Sequence, residues 1–239
     1  MKLHLSVDDV IHSLIDINEK HPESVFDIPF FKFFQSMNVK YGALLTLYAY
    51  GNYGKSFYVD TIQKKYWKEL SDCNFIRFGF HGMFFSEDNV FFEKDCNRFY
   101  SCLDDSLRAS IIRLHRYEAD DSMINTLRNY GVTTFLCREE ESRKISFFPP
   151  SYFLNEDEEK RINTIPVNIK GIQFIKTSIG IELHEKKRLI NDIENIVESS
   201  STESIIAVYI HEKFLNQYTD VFEHICKMVN NSDKIEFTF

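Results

Sequence analysis

No stretch of this 239-residue chain reaches the ~20 consecutive apolar residues that a membrane span needs, so no transmembrane segment is expected. Nothing forms a basic stripe. Asp and Glu total 36 against 28 Lys and Arg, the net charge is −8, and the acidic excess is spread along the chain. Nucleic acid is therefore excluded as an expected partner. The five cysteines (Cys73, Cys96, Cys102, Cys137 and Cys226) are odd in number, and no two have C-x-x-C spacing. That excludes a disulfide framework and a zinc-finger site, and fits reduced thiols in the cytoplasm. Met1 runs directly into a strand-like segment, so no signal peptide is expected. Internal repeats and low-complexity linkers are also lacking, and the length suits one domain over residues 1–239. What the chain does have is apolar material: 44% hydrophobic residues, with 23 Phe and 12 Tyr, enough for a substantial core.

The segment Leu3-His4-Leu5-Ser6-Val7 alternates apolar and polar residues with the period of a half-buried strand, then runs into Asp8-Asp9-Val10. Further strands are expected at Ala43–Tyr48, Asn74–Phe80, Ile111–Leu114, Val132–Cys137, Phe174–Glu182 and Ser204–Ile210. Helical spacing appears around Phe30–Met37, over Asp60–Leu70, Val90–Arg108, Ser122–Tyr130 and Lys186–Glu198, and after Glu212 to about Asn230. A short apolar segment, Ile235-Glu236-Phe237, ends the chain. The tract Arg138–Lys144, Pro149-Pro150 and Asn155–Arg161 reads as an exposed excursion. Seven strands mostly separated by helices predict an α/β fold, a distorted or incomplete (β/α)7 barrel of mostly parallel strands.

Four of these strands end in paired acid or histidine: Asp8-Asp9, His81, His115 and His211. In a parallel βα fold the C-terminal strand ends share one rim, where such folds keep their chemistry. Carboxylate and imidazole ligands suit Zn²⁺ or a similar first-row divalent ion, and three such ligands leave a position open for water. Each residue also has a plainer use. Asp8 or Asp9 can cap the helix that follows, and a single histidine can be a core or capping residue. His4, His12, His21, His184 and His224 lack the strand-end placement and read as structural or solvated.

The ordered set resembles the metal-dependent polysaccharide deacetylases, in particular the divergent branch associated with bacterial surface-polysaccharide (O-antigen or capsule) synthesis. Ser6-Val7-Asp8-Asp9-Val10 is similar to that family's T-F-D-D-G opening, and Leu45-Thr46-Leu47-Tyr48 to its A-T-F-F strand. Phe78-Gly79-Phe80-His81 falls where H-x-x-x-H begins, His115-Arg116-Tyr117 where R-x-P-Y forms a groove wall, and Tyr209-Ile210-His211-Glu212 where L-x-H closes the set. Val10 stands in place of the family's Gly. Phe85 stands where the second metal His would be, and Glu182 is the sole acid near the expected place of D-x-x-D-W.

The resemblance implies an N-deacetylase acting on an amino sugar, with Asp8 as base, His211 as acid and Asp9 and His81 as metal ligands. His115, on the next strand end, is expected to supply the imidazole that Phe85 cannot. Arg116, Tyr117, Tyr48 and Glu182 are the expected carbohydrate-binding residues, and zinc is the expected ion. A domain of the same fold that binds glycan or protein without turnover is the alternative, favoured by the two departures at Phe85 and D-x-x-D-W.

Overall fold

The computed structural model describes residues 1–82, 89–139, 150–201 and 204–239. Its organising strand is β1 (Lys2–Val10), where Leu3, Leu5, Val7 and Val10 are fully buried. β1 pairs in parallel with β7 (Ile205–His211) over Lys2–Asp8, ending with Asp8 opposite His211. On its other side it pairs in parallel with β2 (Leu45–Ala49), which pairs in turn with β3 (Ile76–Phe80). A second parallel run follows: β4 (Ile111–Ile112), β5 (Thr134–Cys137) and β6 (Ile172–Lys176).

Two junctions close these sheets on one another. At one, Phe78 of β3 bridges to Arg108, and Ala109 N donates to Phe78 O at 2.9 Å. At the other, the chain leaving β6 crosses over. Thr177 N still donates to Cys137 O, Ser178 N donates to Ala207 O, and Ile179–Gly180 pairs with β7. Among the described residues the result is an α/β barrel-like ring of mostly parallel strands, as the alternation of strands and helices predicts.

The described α-helices are α1 (His12–Lys20), α2 (Pro29–Tyr41), α3 (Lys64–Asp72), α4 (Asn89–Ser101), α5 (Asp121–Arg128), α6 (Glu156–Ile162), α7 (Lys186–Ser199) and α8 (Thr219–Asn230), and the short segment Glu236–Thr238 pairs in parallel with the start of β1. Pro29 at the first turn and Gly42 at φ 66° bound α2, the arrangement that proline's missing amide and glycine's freedom favour. Its Phe33 and Phe34 meet Phe222 of α8 edge-on, with ring centroids 5.7 and 5.4 Å apart. Rings in that geometry contribute about 0.5–1.5 kcal/mol beyond their buried area. Among the described residues, no helix is long and apolar enough to cross a membrane.

Several boundaries depart from expectation. The strand expected over Phe174–Glu182 is two segments split at Thr177-Ser178, where it changes partner, and Val167–Ile169 adds an antiparallel edge. The helix expected over Val90–Arg108 ends at Ser101, and the last helix begins at Thr219 after a 3-10 turn. Arg138 and Glu139, expected in an exposed tract, are buried, while 140–149 lie outside the described residues. Asn155–Arg161 is mostly helix, and its buried Glu159 accepts from Ser151 N at 2.9 Å.

Neither Asp8 nor Asp9 caps α1. Its N-cap is Ile11, with no side-chain cap of its own. The carboxylate of Glu212, just past β7, does that work from 200 residues away. It accepts from Ile11 N and His12 N at 2.9 Å each, from Ser13 N at 2.8 Å and from the Ser13 hydroxyl. An anion on the free amides of a helix N-terminus is favourable on both hydrogen-bond and dipole grounds. Glu212→Ala is expected to lower stability by about 1–2 kcal/mol, the usual cost of a lost cap. Urea unfolding measures it, and Glu212→Gln should recover part of the loss.

A polar layer lies inside the ring. His4 Nε2 contacts the Tyr48 hydroxyl at 2.8 Å, and that hydroxyl donates to Ile111 O at 3.0 Å. Burial, with Arg113 nearby, lowers the His4 pKa to about 3. His4 is therefore neutral when folded, whereas the unfolded chain protonates it near pH 6.5. The folded state loses nothing on this account above pH ~6.5, and progressively more as pH falls toward the folded value. Acid unfolding monitored from pH 7 to 4 should show that slope, and His4→Gln should flatten it.

Candidate metal centre

Two adjacent acids on a regular strand point to opposite faces. Here β1 carries an irregularity just where they lie. Ser6 pairs with Thr46 and Val7 with Leu47, but Val10 pairs with Ala49, one residue out of step. Asp9 sits in the slip with φ 57°. Left-handed backbone costs a non-glycine residue about 1–2 kcal/mol. In return both carboxylates reach the end of the ring where β3, β4 and β7 also finish.

Asp9 Oδ1 lies 3.2 Å from His81 Nε2 and 3.4 Å from His115 Nδ1, and Asp9 Oδ2 lies 3.8 Å from His211 Nε2. Asp9, His81 and His115 each offer a ligand atom within 4.8 Å of the others, and so could hold a metal ion. The donor chemistry fits one. His81 Nδ1 is 2.7 Å from the carbonyl of Arg113, which can only accept, so Nδ1 carries the proton. The lone pair of a neutral His81 at Nε2 then faces a carboxylate oxygen, an arrangement that asks for a cation between them. A ligating histidine anchored through its other nitrogen is the usual support of a metal site. The Tyr50 hydroxyl donates to Asp9 Oδ1 and lies 3.0 Å from His115 Nδ1. Burial and Asp9 push that hydroxyl well above its ordinary pKa, so it remains a donor. Burial would raise the Asp9 pKa, but the His115 and His81 imidazoles and the Tyr50 hydroxyl beside it outweigh burial and carry it far below the usual range.

Asp8 is only 2% exposed and Arg113 1%. Arg113 Nη1 donates to both Asp8 oxygens, at 2.9 and 2.8 Å, and Nη2 donates to Thr177 Oγ1 at 3.0 Å. The guanidinium packs over the ring of Tyr209, 4.1 Å from its centroid. His211 is held by a hydrogen bond between its Nδ1 and Glu182. Desolvation opposes its charged form, but Glu182, Asp8 and Asp9 outweigh it and raise the pKa.

These groups meet at a cavity of about 210 Å³ lined by Asp8, His81, Arg113, His115, Arg116, Tyr117, Arg138, Tyr209 and His211. The expected groove residues divide. Arg116 and Tyr117 line the cavity, whereas Tyr48 is fully enclosed beneath it and lines no groove. Glu182 is turned to His211 and orients an imidazole instead of walling a groove. Phe85 lies outside the described residues. Arg113 and Tyr50 were not singled out from sequence. Arg113 had one available signal: an arginine at the end of an otherwise buried strand needs a carboxylate partner.

The sequence matches no protein-family model and no curated protein. Solved structures do resemble it. The 4-alpha-glucanotransferase from Thermococcus litoralis aligns with 100% of this chain and 39% of its own, at TM-score 0.58 and 10% identity. The chain thus spans about two-fifths of that protein's length. The Bc1960 peptidoglycan N-acetylglucosamine deacetylase aligns over 99% of this chain and 85% of its own, at TM-score 0.44 and 12% identity. The alpha-amylase AmyC from Thermotoga maritima covers 99% and 73%, at TM-score 0.49 and 6% identity. The glucanotransferase shows a shared fold and nothing finer; the other two, at lower TM-scores, add no inference. The chain is an α/β protein built on a parallel sheet curled into a distorted barrel, with an Asp-His-His group at its mouth that could hold a metal ion.

Proposed function

We propose that the protein is a metal-dependent hydrolase that removes the N-acetyl group from an amino sugar of a surface polysaccharide or its precursor. One observation carries the reading. Two separately supported acid–base residues, Asp8 on Arg113 and His211 on Glu182, line the same cavity as His81 and His115, which group with Asp9 as possible ligands of one ion. Asp9, His81 and His115 would hold the ion, and zinc matches one carboxylate and two imidazoles. When bound, such an ion polarises a carbonyl and makes water more acidic. Asp8 takes the proton from the attacking water, and Arg113, donating to both its oxygens, fixes the carboxylate in direction. His211 delivers a proton to the amide nitrogen as the C–N bond breaks, releasing acetate and a free amine. Glu182 favours the protonated His211 that this step requires.

Acetate release from a panel of N-acetylated amino sugars, with zinc-loaded protein, tests the reading. Wild type should release acetate. Asp8→Asn should keep its metal and lose roughly 100-fold or more of the rate, the usual size of a general-base effect. A wild type that binds glycan and releases none would make this a binding domain without turnover.

A further inference from the structure

We propose that the sugar taken at this cavity carries an anionic group, phosphoryl or carboxylate, and that Arg116 binds it. The inference rests on the N-deacetylase reading above. The charged groups around the cavity are largely committed to one another. Asp8 is paired with Arg113, Glu182 with His211, and Asp9 with His81, His115 and Tyr50. Arg138 is buried, donates through Nη2 to the Arg116 carbonyl at 2.9 Å and covers the Tyr117 ring, 5.0 Å from its centroid. Arg116 differs. It lines the cavity, is exposed, and among the described residues its guanidinium makes no hydrogen bond or ion pair.

The backbone is built to hold it there. Arg116 and Tyr117 both adopt left-handed conformations, φ 57° and 60°. Two such residues in succession are costly for side chains of this size, and they persist only where surrounding contacts enforce them. Those contacts are present. His115 N donates to His81 O at 2.7 Å, Tyr152 N donates to Tyr117 O at 2.5 Å, and Arg138 fastens the carbonyl between them. Tyr152, itself at φ 60°, is anchored by its hydroxyl on Leu136 O at 2.7 Å. A strained, multiply tied turn thus holds an uncommitted guanidinium beside the acid–base pair, on a chain whose net charge is −8. A planar fork of donors recognises carboxylate or phosphoryl oxygens, and a neutral hydroxyl would not require the charge.

Calorimetric binding to zinc-loaded wild type and Arg116→Gln tests this with three probes. These are neutral N-acetylglucosamine, its 1-phosphate and N-acetylmuramic acid. The wild type should bind at least one anionic sugar about tenfold or more tightly than the neutral one, an advantage that weakens as salt is added. Whichever anionic probe gains identifies the group. Arg116→Gln should erase the advantage, bringing the ratio of anionic to neutral binding close to one, which separates the anion's contact with Arg116 from one with the metal. Equal binding of all three by wild type, or an advantage that survives Arg116→Gln, overturns the inference and leaves the deacetylase reading standing. Absence of binding by every probe, with no acetate release from the panel above, overturns both.

Discussion

Asp9→Asn and His81→Ala should each give folded protein that no longer retains a divalent ion through dialysis, whereas wild type should keep about one per chain. Acetate release should fall to background in both. The expectation follows from the geometry of the cluster, in which both residues contribute to one three-ligand group. A site left with two protein ligands loses most of its affinity, and loss of even a supporting contact typically costs 10–100-fold. Metal content after dialysis, read beside circular dichroism, separates lost ligation from lost folding. Full metal retention by both variants would remove the site as described. The Tyr50 hydroxyl offers a graded version. Tyr50→Phe deletes a donor to Asp9 without touching a ligand atom, so metal affinity should weaken about 10-fold or more, not vanish.

The second large effect concerns folding. Arg113→Met should destabilise the protein by about 3–5 kcal/mol, because it leaves Asp8 as a buried charge without its partner. The pair lies deep, 1% and 2% exposed, and Arg113 also anchors Thr177 at the point where the chain crosses from one sheet to the other. Asp8→Asn alone should cost less, since an amide can still accept from the guanidinium. Combining Asp8→Asn with Arg113→Met should recover a measurable part of the loss, the signature of a coupled pair. Urea unfolding of the wild type and three variants measures all of it. Additive effects would mean that the ion pair does not link the two residues energetically.

Much of the ring was readable because its strands are short apolar runs or alternating segments ending in chemistry-bearing residues. Leu3–Val7 alternates, and Asp8-Asp9, His81, His115 and His211 each follow such a run. Parallel winding alone then gathers them at one end. What local pattern does not carry is the identity of distant partners. Glu212 caps a helix that starts 200 residues earlier, and Arg113 meets Asp8 across the ring. Glu182 looked like a groove acid because nothing near it in sequence indicates that β7 delivers His211 to its side chain. Tyr48 looked like a groove aromatic for the opposite reason. It lies on a strand, and only the closed ring reveals that its face points inward to His4. The bulge at Asp9 was equally hidden, since a one-residue register slip depends on the neighbouring strand, β2.

The central claim is that Asp9, His81 and His115 together hold one ion. The most direct test is anomalous diffraction at the zinc edge from crystals of zinc-loaded protein. One strong peak is predicted, about 2.0–2.2 Å from a carboxylate oxygen of Asp9 and from a ring nitrogen of each histidine. A peak elsewhere, or an ion at Asp9 and His81 with His115 turned away, would contradict it.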